Sequence, residues 1–260
     1  MQARILLTTK SSPGESGTST LKSLARGGDG WEPWCLSASL HRVRSNERQV
    51  IDEIMDGPDV EPSVHAMALA GLRRINAVSH AARRMARPII QTARRLKLNR
   101  LTMLDVACGG GDVSVGIVTT AAAVGIDIDL TLLDRSDIAL KLATATAKHA
   151  DIAVQTIRAD LLDNWSAGSF DVVTCSLFLH HIRQADQVVE LLGRMRSIAR
   201  RQIVISDLRR CRTGLAAAWI GSRILSRSPI VHFDAPASVR AGLDFGRVDR
   251  ICRSGWDEIC

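Results

Sequence analysis

Five short apolar runs in this chain end on residues that can do chemistry. The first, LTMLDVACGGGDV, carries Asp105 inside it and closes on Gly109, Gly110 and Gly111. Glycines let a backbone turn sharply and come close to a ligand. A helix that follows aims its N-terminal amides at the same place. Asp134 closes the second run, in LTLLDRSD. An acid roughly 20 to 30 residues after a glycine loop can accept both hydroxyls of a ribose. Capping the next helix is the competing role for Asp134, and Ser136 is the better-placed cap. Asp160 closes the third run, His180 and His181 the fourth, and Asp207 the fifth. A histidine there can take a proton near neutral pH. His232, in PIVHFDAP, is a further imidazole candidate, ahead of Asp207.

The elements that position these residues read as alternating strands and helices. The apolar runs are 101–107, 128–133, 152–157, 170–176 and 202–206, with helical text near 112–123, 136–149 and 184–199. That alternation implies a doubly wound, Rossmann-like, mostly parallel α/β sheet with helices on both faces. Right-handed crossovers bring every strand's C-terminal end to one edge, where such folds bind ligands. Ahead of the sheet, Ser63 is an expected N-cap, and Val64, Met67, Ala68, Leu72, Ile75, Val78 and Ala82 recur at helical spacing. Pro88 is expected to end or kink this helix. Residues 1–40 are rich in Ser, Gly and Thr and read as lacking fixed structure. The expected organisation is therefore a structureless 1–40, a helical lid over 41–98 and the main domain from 99 to 260.

The net charge of +7 is unevenly spread: no acid lies between Pro62 and Leu104, against eight Arg and one Lys. A solvated arginine-rich face is the plain reading, and nucleic-acid contact is the alternative. Aromatics do not interleave with these basic stretches, and the chain has no Tyr, which argues against nucleic acid. Six scattered cysteines form no CxxC or CxxH pair, so neither a disulfide framework nor a metal site is expected. With no apolar run near the roughly 20 residues that span a bilayer, a cytoplasmic protein is expected.

Gly109, Gly111 and Ser114 fit a dinucleotide-binding GxGxxG pattern only loosely. Taken together, the strand-end residues resemble class I S-adenosylmethionine-dependent methyltransferases. Their first loop reads (D/E)xGxGxG, matched here by Asp105, Ala107, Gly109 and Gly111. The resemblance implies that Asp105 serves the cofactor's ammonium end, directly or through water, and that Asp134 binds its ribose. It implies that Asp160 and Leu161 flank the adenine, and it adds Arg135 and Ser176 to the cofactor-binding set. An acid at 105 would suit a pyrophosphate poorly. Within the family, the lead-in and the segment after Asp207 look like the small-molecule, ubiquinone/menaquinone-biosynthesis-like group. That implies methyl transfer to the oxygen or carbon of a small aromatic or lipophilic acceptor. His180, His181 and His232 are then the candidate bases, and Trp219 and Phe233 are expected to pack.

Family members carry a C-terminal hairpin whose last strand inserts antiparallel beside the fifth. That hairpin is not visible in this sequence, so an open sheet edge is expected, to be covered by a second copy in a homodimer. Two other functions remain in view: an RNA methyltransferase using the arginine-rich 73–100 segment, and a cofactor-binding remnant without activity.

Overall fold

The computed structural model describes residues 2–8, 48, 50, 51, 54, 61–160, 163 and 168–242. Six strands form one sheet: β1 (Gln2–Thr8), β2 (Arg100–Val106), β3 (Asp127–Asp134), β4 (Val154–Arg158), β5 (Phe170–Ser176) and β6 (Ala199–Leu208). Their order is β1-β6-β5-β2-β3-β4. The last five are parallel, and β1 alone runs antiparallel, against β6. The helices are α1 (Pro62–Val78), α2 (Ala81–Arg95), α3 (Asp112–Ala122), α4 (Asp137–His149), α5 (Ala185–Ile198), α6 (Arg212–Leu225) and α7 (Pro229–Ala241). The chain leaves β2 toward β3 on one side and later returns to β5 on the other. The crevice between β2 and β5 is thus the topological switch point.

A parallel sheet buried on both faces explains the near-continuous apolar runs. On one face Leu104, Val106, Val173 and Ile205 pack with Leu191, Leu192 and Met195 of α5. On the other, Leu101, Met103 and Leu132 pack with Met85 and Ile89 of α2 and Ile117 of α3. The side-chain alternation of β2 places Asp105 on this second face, toward α3. α2 lies so close to α3 that a Cβ at Gly116 would sit 2.5 Å from the Cβ of Ala82.

Three expectations change. The edge beside β6 is not open, because Gln2–Thr8 pairs along it from Gln2↔Leu208 to Thr8↔Gln202. The backbone groups of β6 that would otherwise lack partners are met by the chain's own N-terminal residues. That removes the reason for expecting a second copy there, and it gives residues 2–8 a fixed place. Residues 9–47, and 243–260 where the hairpin was sought, lie outside the described residues. Pro88 does not end its helix: it is buried inside α2, and packing on that face offsets the one lost backbone bond. The break falls instead at Ser79 and His80, whose φ of 52° is left-handed. Ser63 is likewise not the cap of α1, which starts one residue earlier with Pro62 in the first turn, where a missing N–H costs nothing.

The lid segment also divides. α1 overhangs the sheet edge, whereas α2 belongs to the packed layer. Arg73, Arg74, Arg83, Arg87, Arg94 and Arg95 all point to solvent. Arg74 donates to the carbonyl of Leu225 at 2.8 Å, and Arg100 makes a two-pronged pair with Asp129.

Candidate active site

A cavity of about 1890 Å3 opens at the C-terminal edge of the sheet. Its floor is built by the loops that follow β2, β3, β4 and β5. Its roof comes from α1, α6 and α7. Ala107, Gly109, Asp134, Arg135, Asp160, Ser176, His180 and His181 all line it. Leu161 lies outside the described residues.

The glycine loop needs its residue types. Ala107, Gly109 and Gly111 all have positive φ. Gly111 has φ 72°, and a Cβ there would lie 2.8 Å from the Cβ of Ala143 on α4. Asp134 holds this loop. One of its carboxylate oxygens accepts the amide of Gly109 at 2.9 Å, and the other accepts the amide of Ser136 at 2.9 Å. Ser136 is the cap of α4, its hydroxyl accepting from the amide of Ala139 at 3.3 Å. The capping role therefore falls to Ser136, while Asp134 braces the glycine loop.

Asp105 stands elsewhere than expected. It is 1% exposed and does not line the cavity. One carboxylate oxygen accepts the hydroxyl of Ser114 and the other that of Thr174, the latter at 2.6 Å. Burial pushes its pKa up to about 6 against these hydrogen bonds, and the nearby charges of Asp112 and Asp134 push the same way. Asp112, the first residue of α3, does line the cavity. Its carboxylate is also held above the usual range, chiefly by burial, and accepts the side-chain amide of Asn76 at 3.0 Å. Three carboxylates thus surround one glycine loop. The Cys108 thiol between them is pushed up by burial first and by Asp105 and Asp134 next. Such a field suits a cationic ligand and opposes an anionic one.

Across the cavity, the loop after β5 makes a short turn over Leu179–His181. His180 is 2% exposed, and its Nδ1 lies 2.5 Å from a carboxylate oxygen of Asp207, which is fully buried. The second oxygen accepts the backbone amide of His180 at 3.2 Å. Burial alone would raise the Asp207 pKa, but the His180 charge and these bonds hold it below the ordinary carboxylate value. A carboxylate can only accept, so Nδ1 carries the proton, and in the neutral imidazole Nε2 is the acceptor. The His181 ring lies 4.3 Å from that of His180 and 5.9 Å from that of Phe178.

His232 is not brought to the cavity. One ring nitrogen bonds the carbonyl of Ser226 at 2.8 Å, tying α7 to the loop before it. Since a carbonyl only accepts, that nitrogen is a donor. Trp219 and Phe233, expected to pack, are 52% and 50% exposed. Sequence reasoning missed Arg48 entirely. Its guanidinium donates to the carbonyls of His180 at 3.0 Å, Ile182 at 2.6 Å and Ala241 at 2.9 Å, clamping the histidine turn to the end of α7. Its partners lie over 130 residues downstream and are all backbone oxygens, so no side-chain pattern announces it.

The parallel sheet with helices on both faces is a Rossmann-like, methyltransferase-type fold. Residues 103–202 match the family described as Methyltransferase domain. The chain is similar to ubiquinone biosynthesis O-methyltransferase of Paraburkholderia xenovorans (strain LB400). The two are 33% identical over 90 residues, 34% of this chain and 37% of that protein. The same-named protein of Methylococcus capsulatus (strain ATCC 33009 / NCIMB 11132 / Bath) is 30% identical over 125 residues, 48% of this chain and 50% of that one. The matched segments thus span half or less of these relatives' length. Among solved structures, the plantazolicin methyltransferase BpumL in complex with SAH superposes with a TM-score of 0.53. That match has 17% identity and covers 76% of this chain and 70% of that one, a likeness of fold. No helix among the described residues is long and apolar enough to cross a membrane.

Proposed function

We propose that this chain is a methyltransferase that moves the methyl group of S-adenosylmethionine to an oxygen of a small, hydroxylated aromatic or lipophilic molecule. The observation that carries this reading is the ring of Asp105, Asp112 and Asp134 around the glycine loop. A ligand bearing both a sulfonium and an ammonium meets that field favourably, whereas a pyrophosphate would not. Asp134 would hold the ribose hydroxyls, since each of its oxygens retains acceptor capacity beyond one backbone amide. Asp160 at the end of β4 would face the adenine amine. Asp112, rather than the sealed Asp105, is the carboxylate placed to meet the ammonium. The cavity, at about 1890 Å3, exceeds the roughly 300–1,000 Å3 of a single ligand site, and so has room for cofactor and acceptor together. The names of the curated relatives support an oxygen acceptor.

The bound cofactor would supply an activated methyl group and leave as the neutral thioether, so that the acceptor's proton is the one charge the chain must handle. The chain's own part is alignment and exclusion of water. The α1, α6 and α7 roof supplies the second. In its neutral form His180 would take the acceptor's hydroxyl proton at Nε2, with Asp207 orienting the ring through Nδ1. His181, tilted against it and stacked on Phe178, would shape the acceptor side. The proposed location is the cytoplasm. Calorimetry with S-adenosylmethionine tests the cofactor half, and the absence of binding by folded protein would refute it. Transfer of labelled methyl to a panel of phenols and catechols tests the acceptor class, and transfer to RNA alone would refute that part.

A further inference from the structure

α6 is a helix with its ordinary pattern turned over. The face that lines the cavity is built from Gly214, Ala217, Ala218, Gly221, Ser222 and Leu225, at three- and four-residue spacing. The large apolar side chains point the other way. Trp219, Ile220 and Ile224 are 52%, 51% and 76% exposed. Arg212, Arg223 and, just past the helix, Arg227 share this outward side and are also exposed. Arg223 lies over the Trp219 ring, 4.1 Å from its centroid. From residue 208 to 233 the chain holds five arginines and no acid.

We propose that the outward face of α6 docks this protein on an anionic lipid surface. Apolar side chains flanked by arginines on a short helix are the composition that settles at the headgroup boundary. With 14 residues, α6 is too short to span the roughly 20-residue hydrocarbon core, so it lies along the surface. Charge decides between occupants. A second copy meeting this face across a twofold axis sets arginine against arginine, whereas phosphodiester headgroups complement them. Because the opposite face of the same helix walls the cavity, docking would place the roof against the bilayer that holds a lipophilic acceptor. That consequence, though not the docking itself, rests on the proposed function.

Flotation with lipid vesicles tests the inference. The whole chain is expected to float with phosphatidylcholine vesicles containing about a third phosphatidylglycerol, and not with phosphatidylcholine alone. Release by salt should follow. At about fivefold per arginine, Arg223→Glu with Arg227→Glu lowers partitioning at least about 25-fold, and Trp219→Asp or Ile224→Asp abolishes it. All three variants should keep the wild-type melting temperature and affinity for S-adenosylmethionine, because none of these side chains lines the cavity. No flotation, equal flotation on neutral lipid, or variants that still float overturns the proposal. So does a wild-type dimer that Trp219→Asp dissociates, which would assign the face to a second copy. Failure of flotation with intact cofactor binding sinks docking alone; failure of cofactor binding with intact flotation sinks the methyltransferase reading alone.

Discussion

Replacing Asp105 by Asn should make this protein more stable and worse at holding its cofactor. The carboxyl group is sealed beneath the glycine loop, and burial lifts its pKa from 3.8 to about 6. Because the folded value lies above the unfolded one, folding favours the protonated form. The benefit is full below about pH 4 and is lost as the pH rises through about 6. At about 1.4 kcal/mol per pH unit, the displacement amounts to about 3 kcal/mol that ionised Asp105 costs the fold at neutral pH. An amide fills the same space and never ionises. The Ser114 and Thr174 hydroxyls can turn to meet it, Thr174 having the Leu104 carbonyl as a second acceptor at 3.4 Å. Asp105→Asn should therefore match the wild type near pH 4 and exceed it by up to about 3 kcal/mol at pH 7.5. For a chain of this size that is about 6–12 °C in melting temperature. Urea unfolding of both proteins across this pH range gives the difference directly. Calorimetry should show wild-type affinity for S-adenosylmethionine falling as the pH drops through about 6, and a weaker, flatter profile for the variant. A stability difference that stays constant from pH 4 to 8, or a variant less stable at pH 7.5, would refute the reasoning.

Gly111→Ala should destabilise by about 2–4 kcal/mol, combining left-handed strain with overpacking against Ala143, as read by urea midpoints. His180→Gln should lower kcat about 100-fold or more and remove the limb of the pH–rate profile set by the base, while calorimetry finds cofactor affinity unchanged. Arg48→Ala should raise KM for the acceptor and lower kcat together, and hydrogen exchange should quicken across residues 179–183, whose carbonyls lose their clamp. Deleting residues 2–8 should expose the β6 edge and drive self-association, visible by light scattering on a sizing column.

Local signals in the sequence carried the floor of the site. Apolar runs, turn glycines and the acids that end each strand are determined within a few residues. A parallel sheet then leaves one edge for all of them, so Gly109, Asp134, Asp160 and His180 were legible before any coordinates. Ser136 as the cap of α4 was legible for the same reason. Depth and long-range partnership were not. Whether Asp105 faces ligand or hydroxyls depends on Ser114 and Thr174, the latter 69 residues away. Whether His232 reaches the cavity depends on how α7 packs against the loop before it. The open edge was a sound inference from chain order, but the strand that closes it comes from the opposite terminus. Edge pairing needs only backbone groups and a compatible register, and therefore leaves almost no mark on side-chain choice. Arg48 follows the same rule: its contacts are to main-chain carbonyls, which every residue type offers equally. Side-chain pattern determined which residues meet at the sheet edge, and tertiary structure alone decided which are sealed, which are clamped and which line the cavity.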